Sequence, residues 1–101
     1  METFERISVQ KAHEIMETSP ATIVDVRNAQ AYAQGHIPQA QMVGDDNIEN
    51  FLEVTDKNAP LICYCYHGFS SQRAALFFAQ QGFKQVYSMD GGWEEWKATY
   101  G

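Results

Sequence analysis

Two thiols and an imidazole alternate in the segment Cys63-Tyr64-Cys65-Tyr66-His67, which runs on into Gly68-Phe69-Ser70-Ser71. A cysteine thiolate is both a nucleophile and a soft metal ligand. Several chemistries use these residues. If the strand continued, Cys63, Cys65 and His67 would face one way and offer three metal donors. Structural zinc sites take a further ligand pair from elsewhere, and only His13 and His36 remain to supply it. A Cys–His acyl-transfer pair needs the base within hydrogen-bond reach of the sulfur, and sequence does not give the direction of His67. A cysteine phosphatase or arsenate reductase places an arginine six positions after its cysteine. Here that position is Ser71, and Arg73 follows two later. The remaining chemistry is a thiolate in a nest of backbone N–H groups. Gly68 lets the loop curl, and a helix starting at Ser70 or Ser71 aims its positive end at the sulfur. Such a nest lowers a thiol pKa and holds an anion that is attacked or displaced there. The hydroxyls of Ser70 and Ser71 either bond to the sulfur or anion, or cap the helix. Cys63, inside an apolar run, reads as core.

The elements around this segment alternate in type. Ile7–Val9 reads as a short β segment. Ser8 can cap a helix from Val9 to about residue 17, which Pro20 stops. Thr22–Val26 is rich in β-branched residues and reads as a buried strand. Asn28 caps a short helix that Gly35 closes at the C′ position. His36-Ile37-Pro38 makes a turn before a short strand near 40–43. Asp46 and Glu49 read as a capping box for a helix carrying Ile48, Phe51, Leu52 and Val54. Leu61–Cys65 is the most continuous apolar run and reads as the central strand. Ser70 to about residue 81 is a helix with Ala74, Ala75, Phe77, Phe78 and Ala79 on or near its buried side, ended by Gly82. Val86–Ser88 is the last strand, and Gly91-Gly92 leads into a helix with Trp93 and Trp96. This alternation implies an α/β domain with a parallel five-stranded sheet and helices on both faces. In such sheets ligands bind at the carboxyl ends of strands, and the best strand ends at Cys65.

Composition narrows the function classes. The 101 residues make one domain, 1–101, and they are 45% hydrophobic and 13% aromatic, which argues against disorder. Thirteen acidic against seven basic residues give a formal charge of -6, unfavourable for nucleic-acid binding. No apolar run is long enough for a membrane span. The stretch Met1–Val9 lacks the basic and apolar regions of a signal peptide. Two cysteines one residue apart would make a strained bridge, so free thiols in a reducing, cytoplasmic setting are expected.

The sequence resembles the rhodanese family over about residues 4–100. Ile23-Val24-Asp25-Val26-Arg27, Tyr32 and Gly35-His36-Ile37-Pro38 look like its first signature, and Gly91-Gly92-Trp93 with Trp96 looks like its last. Cys65 to Ser70 matches its six-residue active-site loop. The resemblance implies thiosulfate sulfur transfer through a persulfide on Cys65. Tyr66, His67, Gly68, Phe69, Ser70 and Ser71 would form the substrate-binding loop. Cyanide, small thiols or a dithiol protein such as thioredoxin would accept the sulfur, and no cofactor or metal would be required. The expected state is a monomer. The other implied role is a persulfide carrier or regulatory module serving a fixed protein partner. Asp25 and Arg27 would be structural, Trp93 and Trp96 would pack the last helix, and His36 would satisfy backbone groups. The chain departs from the family pattern at three points. Gln39 replaces the second glycine of Gly-His-Ile-Pro-Gly-Ala, Ala31 replaces an acidic residue, and Phe69 stands where a small or polar residue is usual.

Overall fold

The four residues of β4, Leu61–Tyr64, are all buried, because strands flank them on both sides and helices cover both faces. The computed structural model describes residues 3–101, so the first two residues of the N-terminal stretch lie outside it. Around β4 the chain forms β1 (Glu5–Ile7), α1 (Val9–Thr18), β2 (Thr22–Asp25), α2 (Ala29–Gln34), β3 (Gln41–Met42), α3 (Ile48–Val54), α4 (Ser70–Gln80), β5 (Val86–Met89) and α5 (Gly92–Tyr100). The sheet order is β1-β5-β4-β2-β3, and every pairing is parallel. This is the expected α/β architecture.

Alternation along the strands builds two cores. Ile23, Ile62 and Tyr64 face one side, with Val9 and Ala12 of α1 and Trp96 of α5. Val24, Leu61 and Cys63 face the other, with Phe51 of α3 and Ala75, Phe78 and Ala79 of α4. Truncating such a residue to alanine typically costs about 2–5 kcal/mol.

Several local expectations change. The first strand is Glu5–Ile7 rather than Ile7–Val9. The Ser8 hydroxyl accepts from Lys11 N at 3.0 Å, which starts α1 at Val9 and takes the chain out of the sheet. Asn47, not Asp46, holds the N-cap position of α3, without a side-chain cap bond, and the capping box does not form. The Asn47 side chain accepts from Gly44 N and donates to Met42 O, both at 2.8 Å, and so staples the preceding turn instead. Val54, expected among the apolar residues that α3 carries, and Phe77, expected on or near the buried side of α4, are 72% and 38% exposed. Gly35 is itself the C-cap, with extended backbone, and its small size is what matters. A Cβ there would meet Trp93 Cζ2 at 3.0 Å.

Candidate active site

The chain reverses its direction of travel across the sheet between β2 and β4. The connection after β2 leads outward to β3, while the one after β4 leads the other way to β5. The two loops therefore diverge and leave a crevice at the carboxyl ends of these strands, the place where open α/β sheets bind ligands. A pocket of about 370 Å³ sits there. Arg27 and Asn28 line it from the β2 side, and Cys65, Tyr66, His67, Phe69 and Ser70 line it from the β4 side.

Cys65 is the first residue past β4, and its sulfur takes the place of a helix cap. Helix α4 begins after Phe69 with no side-chain cap, so its first N–H groups need other acceptors. Ser71 N donates to Cys65 Sγ at 3.3 Å, and Gly68 N donates to it at 3.2 Å. Gly68 has φ +94, and a Cβ there would come within 2.9 Å of Gly91 N. Both the curl of the loop and the close approach therefore require glycine. Burial of the thiol works against ionisation. The Ser70 and Ser71 hydroxyls and the Ser71 and Gly68 N–H groups outweigh it, and the pKa falls to about 7. The Cys63 thiol moves the opposite way, pushed up by burial, and points into the core toward Ser71 O and Tyr87 O at 3.4 Å each.

Two supports from distant sequence fix the loop. Trp93 N donates to Cys65 O at 2.8 Å and Glu94 N to Tyr66 O at 3.1 Å, so the first turn of α5 clamps the loop backbone. On the other wall, Arg27 Nη2 donates to Asp25 Oδ2 at 2.7 Å and to Gly35 O at 2.6 Å. Arg27 Nε lies 3.1 Å from both Asp25 oxygens. Burial disfavours the guanidinium charge, and the Asp25 carboxylate more than restores it. Tyr64 Oη donates to Asp25 at 2.7 Å and accepts from Ile37 N at 3.1 Å, which ties the pair into the core. The guanidinium lies 5.1 Å from the ring centres of both Tyr66 and Trp93. The one arginine in the pocket is thus neutralised before any ligand arrives.

Of the seven loop residues expected from sequence, Cys65, Tyr66, His67, Phe69 and Ser70 line this crevice, while Gly68 and Ser71 lie outside its lining. Gly68 and Ser71 are buried and serve the sulfur, while Tyr66 and Phe69 form an exposed aromatic rim with His67. Ser70 and Ser71 lie within α4 and do not cap it. Among the described residues, His67 makes no hydrogen bond to Cys65, and no three His, Cys, Asp or Glu side chains group as a metal site requires. At the position of the phosphatase arginine stands the Ser71 N–H. Arg27, expected as a structural residue, and Asn28, expected as a helix cap, keep those roles and also line the pocket. They follow β2, the lateral neighbour of β4, a fact that linear order hides. His36 Nδ1 meets Tyr32 O at 2.8 Å, as its turn role requires.

The sequence matches the rhodanese-like domain family over residues 8–99. The chain belongs to the rhodanese family. Among curated rhodaneses, the thiosulfate sulfurtransferase GlpE of Ectopseudomonas mendocina is 46% identical over 100 residues, covering 99% of this chain and 91% of the relative. GlpE of Pseudomonas paraeruginosa is 44% identical over 99 residues, covering 98% and 89%. Among solved structures, a rhodanese-like domain protein from Staphylococcus aureus superposes with a TM-score of 0.79 at 28% identity, over 92% of this chain and 91% of that one. The rhodanese fold expected from the three motifs is the fold observed.

Proposed function

We propose that this rhodanese is a thiosulfate sulfurtransferase with Cys65 as its nucleophile. The observation that carries the reading is the Cys65 sulfur, which accepts two backbone N–H bonds and has a pKa near 7, at the floor of the switch-point pocket. The Cys65 thiolate attacks the outer sulfur of thiosulfate. The sulfur–sulfur bond of thiosulfate breaks, and sulfite leaves with the electron pair. The product is a Cys65 persulfide, whose charge the loop N–H groups stabilise. Cyanide then attacks the outer sulfur, thiocyanate departs, and the thiolate returns. A thiol acceptor would take the same sulfur as its own persulfide. The curated relatives named above support thiosulfate as donor. The two free cysteines suit a reducing compartment such as the cytoplasm.

Intact mass after incubation with thiosulfate, combined with a thiocyanate assay, tests the reading. The expected result is a gain of one sulfur atom on Cys65 that cyanide discharges. Cys65→Ser should abolish turnover, and Cys63→Ser should retain it. Full turnover in Cys65→Ser sinks the mechanism. A persulfide that forms slowly from thiosulfate but quickly from another persulfide would favour the carrier role instead.

A further inference from the structure

Helix α4 has two apolar sides. Ala75, Phe78 and Ala79 are buried against the sheet. The other side is uncovered, with Phe69 at 78%, Leu76 at 41% and Phe77 at 38% exposed. Counting from Phe69, these fall at helical positions i, i+7 and i+8, with exposed Arg73 at i+4, so they form one stripe. Single exposed apolar residues need no explanation, but a contiguous set does. The stripe begins in the mouth of the Cys65 pocket, which Phe69 lines. It runs beside a groove of about 500 Å³ between α4 and the β3–α3 connection, floored by Val43, Ile48, Ala74 and Phe77. Ser70 lines both the pocket and the groove. Arg73 and Asp45 stand at the groove rim, and among the described residues Arg73 has no ion-pair partner, Asp45 included.

We infer that this stripe docks a protein thiol as sulfur acceptor, with the acceptor cysteine in the mouth, apolar side chains on Phe69, Leu76 and Phe77, and a carboxylate on Arg73. The inference rests on the sulfur-transfer reading of Cys65. A small acceptor such as cyanide needs only the pocket and leaves the groove unused. A macromolecule whose thiol reaches Cys65 must cover the surface around the mouth, and this stripe, with the exposed Tyr66 ring, is the apolar part of that surface. A second copy of the chain fits poorly, because it brings another net charge of -6 and the same unpaired arginine. In the transfer, the acceptor thiolate attacks the outer sulfur of the Cys65 persulfide. That S–S bond breaks and its electron pair returns to Cys65. Where the acceptor carries a second thiol, that thiol attacks the new persulfide, closes a disulfide and releases hydrogen sulfide.

The test uses the full chain and its Arg73→Glu and Leu76→Asp variants, with thiosulfate as donor and three acceptors, cyanide, dithiothreitol and reduced thioredoxin. Neither residue lines the Cys65 pocket, so turnover with cyanide and dithiothreitol should stay within about 2-fold, whereas kcat/KM for thioredoxin should fall at least ~10-fold, as for a residue central to an interface. Equal thioredoxin turnover in both variants, or a parallel loss with all three acceptors, overturns the inference. So does a parent chain that discharges to cyanide but never to thioredoxin. A dimer in light scattering that the substitutions dissolve also overturns it, since the stripe would then be covered by a second copy. Failure of the parent to form any persulfide is a different result, and it removes the sulfur-transfer reading itself.

Discussion

The sulfur of Cys65 does for α4 what a serine or aspartate side chain does at an ordinary N-cap, and the stabilisation runs both ways. The helix gains an acceptor for the Ser71 N–H, and the thiolate gains a donor. Because the thiolate is the reactive form, the rate of alkylation should rise through a pKa of about 7 and level off above it. Iodoacetamide kinetics across pH 5–9, an interval spanning roughly two units on either side of the transition, would measure this. A midpoint at or above the ordinary value of about 8.5 contradicts the hydrogen-bonded site. The Ser71 hydroxyl also lies 2.8 Å from that of Ser88, and both residues are fully buried. When the Ser71 proton points at the sulfur, Ser88 must supply the proton between the two hydroxyls. Ser71→Ala should therefore raise the midpoint by about one unit, a loss of ~1.4 kcal/mol in favour of the thiolate, and Ser88→Ala should raise it by less. Both variants should react slowly at low pH and normally at high pH. At this scale the sequence was informative about Cys63 and Cys65, because strand interior and strand end are local properties. It was not informative about Ser88, whose meaning comes from a strand seventeen residues after Ser71.

Elements carry the site through contacts that have no local signature. The β4–loop–α4 unit is contiguous, so apolar run, glycine and helix start could be read in order. The clamp by α5 could not, since Trp93 and Glu94 reach the Cys65 and Tyr66 carbonyls only after the whole of β5 has been laid beside β4. The Gly91-Gly92 pair was visible as a motif, and its reason is spatial. Gly92 has φ +58, and a Cβ there would stand 2.5 Å from Cys65 O. Gly92→Ala should push α5 off the loop, lowering stability by about 2–4 kcal/mol and turnover along with it. Gly44→Ala, with nothing within 4 Å of its added Cβ, is the control and should change the melting temperature little. Equal melting temperatures for the two variants would remove the clamp as a support. Gln39 is the reverse case. It holds φ +72 where the family pattern has glycine. Left-handed backbone costs a residue with a Cβ roughly 1–2 kcal/mol, partly offset by the entropy that glycine loses on folding. Gln39→Gly should accordingly raise stability by up to ~1 kcal/mol in denaturant titration, with sulfur transfer unchanged.

On the scale of the whole molecule, an acidic chain is asked to bind a dianion. The net charge is -6, and the pocket's arginine is already paired with Asp25. In the proposed site the anion would meet short-range N–H dipoles inside a field that repels it at long range. The Cα radius of gyration is 12.2 Å, so a ligand at the mouth stands little more than one molecular radius from the charge centre. At about 15 Å in water, a dianion and a charge of -6 repel by ~3 kcal/mol before screening. The Debye length is roughly 30 Å at 0.01 M salt and about 8 Å at 0.15 M, so much of that repulsion acts in the first condition and little in the second. Sodium chloride should then raise kcat/KM for thiosulfate several-fold between these two concentrations, the opposite of an enzyme whose lysines and arginines steer its substrate. The N–H contacts themselves are too short to be screened, so turnover at saturating thiosulfate should stay constant. A fall in kcat/KM with salt would mean that a free side-chain cation binds the anion. Arg27→Gln would then abolish the salt dependence, and the backbone nest would lose its place as the anion site.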